Sequence, residues 1–133
     1  MPQEPIRKIE TDKAPKAAGP YSQAVSAGDY VFVSGQIPID PGTGEVLKEG
    51  IKSQTELVIR NMEAILSSSG LGLDNVVKVE VFLKDMNDFK QVNEVYETMF
   101  TDDVKPARQV IEASKLPKDA DIEISCIAHA KNK

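Results

Sequence analysis

The sequence predicts an α+β domain, a mixed β-sheet with two helices packed on one of its faces, and three observations lead there. Two stretches, starting at Ile51 and Phe89, repeat apolar residues at helical spacing. The segments around them alternate apolar and polar residues or run in β-branched and aromatic types, as strands do. Turns rich in glycine, proline and aspartate separate the pieces. The 133 residues suit a single domain spanning 1–133, and 41% hydrophobic against 28% charged residues gives enough apolar side chain for a core.

The element order expected is ββαβαββ. Ala14 to Gly19, rich in Ala, Pro and Gly, reads as an ordered loop. Val31, Phe32 and Val33 then make a β-prone run ending at Ser34-Gly35. Asp40-Pro41-Gly42-Thr43-Gly44 is a turn, because proline presets φ and glycine supplies positive φ. The first helix begins at Ile51. Thr55, Val58, Ile59, Met62, Ile65 and Leu66 continue its stripe, and Gly70 is its stop. Val77, Val79, Val81 and Leu83 alternate with Lys78, Glu80, Phe82 and Lys84, the pattern of a strand with one mixed face. The second helix carries Phe89, Val92, Val95, Tyr96, Met99 and Phe100, with Asp85 or Asn87 as its cap. Two strands close the chain, Arg108 to Ala113 and Asp121 to Ala128, joined by the turn Leu116-Pro117-Lys118-Asp119; in the last, Ile122, Ile124, Cys126 and Ala128 share a face.

Two helices cover one side of such a sheet. The other side is expected to carry Phe82, Val110 and Ile127 beside Arg108, Glu112 and Glu123. A face of that mixed content suits burial against other subunits, so self-association is expected, without a number of subunits.

Charge and cysteine content narrow the function classes. A net charge of −5, with no block of Lys or Arg, argues against a nucleic-acid partner. One cysteine, Cys126, allows no internal disulfide and fits a reducing compartment. No apolar run approaches the roughly 20 residues of a membrane helix. Met1-Pro2-Gln3-Glu4-Pro5 has neither the basic start nor the apolar stretch of a secretory leader. The expectation is a cytoplasmic protein with no membrane partner.

Several site types are missing. His129 is the sole histidine, which rules out a His-rich metal site or paired imidazoles, and its place near the C-terminus reads as an exposed tail. Cys126, on the apolar side of the last strand, reads as a core thiol. There is no glycine-rich phosphate loop. Arg108 opens an apolar strand, and its planar fork suits a carboxylate. Glu123 sits mid-strand, where a carboxylate needs a partner or water. From spacing alone the two either pair with each other, line a solvated interface, or serve a site. Tyr21, in Gly19-Pro20-Tyr21-Ser22, is either loop packing or a cleft wall.

These residues recur in a specific set of segments: Ala17-Ala18-Gly19-Pro20-Tyr21-Ser22-Gln23-Ala24, Val33-Ser34-Gly35-Gln36-Ile37-Pro38, Asp74-Asn75-Val76-Val77-Lys78, Lys84-Asp85-Met86-Asn87-Asp88-Phe89, Val92-Asn93-Glu94-Val95-Tyr96, Pro106-Ala107-Arg108, and Leu116-Pro117-Lys118-Asp119-Ala120 with Ile122-Glu123-Ile124. In this order, over about residues 14 to 128, the chain resembles the RidA (YjgF) family of reactive-intermediate deaminases. The resemblance implies a chorismate-mutase-like fold and a homotrimer whose sheets form a central barrel, with sites in clefts between subunits. It implies hydrolysis of small 2-imino acids and enamines, 2-iminopropanoate and 2-iminobutanoate, to 2-keto acids and ammonia, without cofactor or metal. Their source would be pyridoxal-phosphate-dependent dehydratases. Carried over residue by residue, Arg108 would bind the substrate carboxylate, Glu123 would position or deprotonate the attacking water, and Tyr21 would lie against the substrate. Ser34, Gly35 and Asn93 would shape the pocket.

Two positions depart from the pattern. Val110 stands where many bacterial members have cysteine, and a backbone group there would make the same contact. Ser125 stands where a second acidic residue is common. Three other readings compete: a keto-acid-binding sensor or regulator built on Arg108, a ribonuclease or translation inhibitor, and a holdase. The acidic charge and the lack of a basic or aromatic stripe argue against the second.

Overall fold

The computed structural model describes residues 5–130. The first four of the residues read above as lacking a leader lie outside that range. Six strands and two helices form the fold: β1 (Arg7–Ile9), β2 (Ala24–Ala27), β3 (Tyr30–Gln36), α1 (Ile51–Ser67), β4 (Val76–Leu83), α2 (Phe89–Met99), β5 (Ala107–Glu112) and β6 (Ile122–His129). The strands make one sheet in the order β1-β2-β3-β6-β4-β5. Every pairing is antiparallel except β4 with β5, which α2 connects as a crossover. The α+β expectation holds. The expected order is short by one strand, because β1 has three residues and no alternation to betray it.

Both helices lie on one face. The whole expected α1 stripe, Ile51 through Leu66, is buried against Val79, Val81, Ile122 and Ile124 of the sheet. Each of these large aliphatic side chains contributes roughly 1.5–3 kcal/mol by leaving water. Gly70 takes φ +81, and the Leu71 N–H closes back on the Leu66 carbonyl at 3.0 Å, so the expected stop is a glycine turn. Gln54 of α1 donates to the Glu49 carbonyl and to Asp121 Oδ2, tying the helix start to the start of β6. In the turn at 40–44, Gly44 is the residue with positive φ, +76. Asp85 caps a short 3-10 turn, Met86–Asp88, its carboxylate accepting from the Asn87 N–H at 2.9 Å, and α2 itself starts after Asp88 and not at the expected Asp85 or Asn87.

Three expectations need correction. Val77 does not face the core: it is 39% exposed, while Val76 is buried. Val76 pairs with Ala128 and Lys78 with Ile127, so Val77 is the extra residue of a bulge and the alternation restarts after it. His129 is no tail residue. It ends β6, opposite Tyr30, with the two rings 4.9 Å apart and edge-on. The third correction concerns β5. Its register sets Arg108 beside Val79 and Val110 beside Val81, both buried on the helix side, and Glu112 beside Leu83. Arg108, Val110 and Glu112 therefore project to the helix-covered face. Ala107, Gln109 and Ile111 project to the open one, which also carries Tyr30, Phe32, Phe82, Glu123 and Ile127. Tyr30, Phe32 and Ile111 are each at least 40% exposed there.

Candidate active site

The residues singled out in the sequence fall into two groups, separated by the sheet.

Glu123 anchors the first. It lies on β6, a central strand, paired with Phe82 of β4 and thus turned away from the helices. On the other side, β3 spends three steps from Val33 to Gln36 while β6 spends two from Cys126 to Ile124. The resulting bulge brings Gly35 under the Glu123 carboxylate. A Cβ on Gly35 would collide with Glu123 Oε2 and lie 2.9 Å from its Cδ, so this position is a glycine because a carboxylate occupies the space. Ser34, Gly35, Tyr21 and Glu123 line one cleft of about 630 Å³, walled also by Ala14, Pro15, Ile37 and Ile39.

Among the described residues Glu123 has neither an ion pair nor a hydrogen bond. Half-burial without a cation pushes its pKa above the ordinary carboxylate value. Ser34 turns its hydroxyl away from the acid and donates to the Ser22 carbonyl at 2.6 Å. Tyr21 is 53% exposed, and its hydroxyl accepts from the Ala18 N–H at 3.2 Å. Its ring lines the cleft next to Gly19, where a Cβ would sit 3.5 Å from it.

Arg108 anchors the second group. It stands at the start of edge strand β5 and reaches over α2. Its guanidinium lies 4.7 Å from the Tyr96 ring centroid and 5.6 Å from that of Phe89, and Nη1 donates to Asn93 Oδ1 at 2.6 Å. Phe89, Asn93 and Tyr96 are spaced i, i+4, i+7, which puts them on one helix stripe under the cation. Stacking and one hydrogen bond orient the fork without consuming its charge, since none of the described carboxylates pairs with it. Val110 follows on the same side of β5 and packs on the core.

The sequence reading named Asn93 as a pocket residue; the structure makes it the partner of Arg108. It missed Phe89 and Tyr96, which were assigned to the core stripe alone. Their signal was present, an asparagine sharing a stripe with two aromatics. Tyr96 is buried and its hydroxyl, pushed up to about 12 by burial, has no hydrogen-bond partner among the described residues. The pairing of Arg108 with Glu123, one of the alternatives left open, does not occur within the chain, because the sheet lies between them. Cys126 is the core thiol expected, buried on the helix side with its pKa raised to about 12.

The chain is similar to known proteins over most of its length. A model of the family described as Endoribonuclease L-PSP matches residues 11–130. A RutC family protein of Pyrococcus abyssi is 56% identical over 91% of this chain and 94% of its own. A 2-iminobutanoate/2-iminopropanoate deaminase of Salmonella typhimurium is 46% identical over 92% of this chain and 96% of its own. Among solved structures, E. coli TdcF with bound serine superposes with a TM-score of 0.89 at 41% identity, covering 94% of this chain and 99% of that one.

Proposed function

The chain belongs to the Endoribonuclease L-PSP family, that of the RutC and RidA (YjgF) proteins, and from that premise we propose that it hydrolyses small 2-imino acids to 2-keto acids and ammonia. 2-Iminopropanoate and 2-iminobutanoate are the substrates proposed. The observation that carries this reading is Glu123, a half-buried carboxylate without a partner among the described residues, set over Gly35 in a cleft with room for a small acid and a water. The two anchors face opposite sides of one sheet, so they serve one substrate only when two chains meet. We therefore assign the site to the contact between subunits of a homotrimer, Arg108 from one and the Glu123 cleft from the next.

In that site the substrate carboxylate lies in the fork of Arg108, and Tyr21 covers the substrate from the cleft mouth. Glu123 takes a proton from a water as the water oxygen bonds to the carbon of the protonated imine, giving a neutral carbinolamine. The same carboxyl then returns its proton to the nitrogen. The C–N bond breaks, ammonia leaves, and the hydroxyl passes its proton to the Glu123 carboxylate as the keto group forms. A pKa above the ordinary carboxylate value suits a group that must both accept and return a proton. Imines of this kind already react with water, so orientation and a held water supply the rate. The single histidine and the net charge of −5 favour this chemistry over RNA cleavage by paired imidazoles.

The test is a coupled assay with a serine/threonine dehydratase, with semicarbazide present to trap free imine. The natural protein is expected to accelerate keto-acid release, and Arg108→Ala to lose that acceleration while staying folded and assembled. No acceleration by the natural protein would defeat the reading and favour a keto-acid sensor built on the same arginine.

A further inference from the structure

The wall of the Glu123 cleft is a loop, which has no ladder of its own to hold it. Between β1 and β2 the chain carries no helix or strand, and Ala14, Pro15, Lys16, Ala18 and Tyr21 of that segment line the cleft. Gln23 makes more of the side-chain hydrogen bonds that hold it than any other described residue. Gln23 is 3% exposed. Its Nε2 donates to the Thr11 carbonyl at 2.9 Å and the Pro15 carbonyl at 2.7 Å, with the Ala14 carbonyl at 3.4 Å, and its Oε1 accepts from the Thr11 N–H at 2.7 Å. The amide orientation is forced, because a reversed group would set oxygen against carbonyl oxygens. The backbone of Gln23 is in turn anchored to the bulged part of β3, its carbonyl accepting from the Ser34 N–H at 2.9 Å. Ser34 stands next to Gly35, over which Glu123 packs.

We infer that Gln23 is a positioning residue: its amide locks the cleft wall to β3 and so sets the distance between that wall and Glu123. The inference rests on reading this cleft as the imine site. Gln23 borders the cleft but is buried, with its amide spent on loop backbone; it acts through the loop, so its loss weakens binding more than the chemical step.

The experiment compares the natural protein with Gln23→Met, which keeps the volume but removes every bond, and Gln23→Glu, which keeps the Thr11 N–H acceptor and loses the donor. Hydrogen exchange over residues 11–22 is expected to quicken about tenfold or more in Gln23→Met, with α1 unchanged. KM for the imino acid and the dissociation constant for 2-oxobutanoate are both expected to rise about tenfold, with kcat within about threefold. Gln23→Glu, whose second oxygen faces the Thr11, Ala14 and Pro15 carbonyls, should be at least as disruptive as Gln23→Met. A loosened loop with unchanged KM and keto-acid affinity would overturn the inference, as would unchanged exchange in Gln23→Met. Should the natural protein prove inactive on imines, the functional reading fails by itself, while exchange and keto-acid affinity still decide the role of Gln23.

Discussion

The two anchor groups differ in how their charge is kept available. Arg108 is supported but not neutralised: two rings and one amide orient it, and it sits on an edge strand that is mostly exposed. Glu123 is enclosed but not supported, lying on a central strand over a glycine, without a hydrogen-bond partner among the described residues. A charge left unpaired in a fold is expensive in proportion to its burial. The exposed one can therefore stay fully charged at little cost, whereas the half-buried one responds by holding its proton more tightly. One group is suited to binding an anion, the other to moving a proton, and the proposed site needs both.

The largest effect expected is in mixed assemblies. Arg108→Ala and Glu123→Gln chains should each fall about a hundredfold or more in kcat/KM. Co-folded and reassembled together, they should recover at least about tenfold over either parent, because some interfaces then receive both natural anchors. No recovery in verified mixed oligomers would break the assignment of the two groups to different chains.

Next in size is Gly35→Ala, aimed at the Glu123 side alone. The added methyl must displace the carboxylate, which is expected to lower stability by about 1–3 kcal/mol. A Tm reduced by several degrees and a loss of kcat, with Arg108 still in place, would separate the two groups; an unchanged kcat would show that Glu123 tolerates being moved.

The smallest effect sharpens the contrast in charge. Burial raises the pKa of Glu123 in the folded state above its unfolded value. Its contribution to stability is thus whole in acid, below the unfolded value, and is lost as pH rises through the raised one. Glu123→Gln removes that loss. Its Tm is expected to exceed the natural protein's by about a degree at neutral pH, a small gain because the group is only half-buried. The two melting curves should converge in acid, and a variant less stable at neutral pH would contradict the account.

These differences also explain what the sequence revealed. The helix α1 was readable because its stripe is buried without interruption from Ile51 to Leu66, and burial is what makes periodicity visible. The strand β6 was readable for the same reason, with every second residue buried. In β5 only Val110 is even partly buried, so nothing in the string Ala-Arg-Gln-Val-Ile-Glu announces which side Arg108 takes. That phase is set by its parallel register with β4, a long-range fact. Val77 misled because a bulge shifts the alternation by one residue, and bulges leave no mark in a run of valines. For the site, the resemblance named most of the residues, but their division between two faces and the aromatic bed of Arg108 required the fold. Gln23 lay within a quoted segment without a role, since its four bonds are to backbone atoms distant in the chain.

The sealed position of Cys126 has a practical side. The chain's one sulfhydryl is buried on the helix side of the central strand, with its ionisation pushed up to about 12. Thiol-directed labels attack through the thiolate, so the natural protein should remain unmodified while folded. A cysteine placed at an exposed position such as Val77 would then be the sole attachment point, already matched to a background-free parent. Spin or fluorescent probes introduced there would report the number and spacing of subunits in solution, on a chain that needs no prior removal of native cysteine.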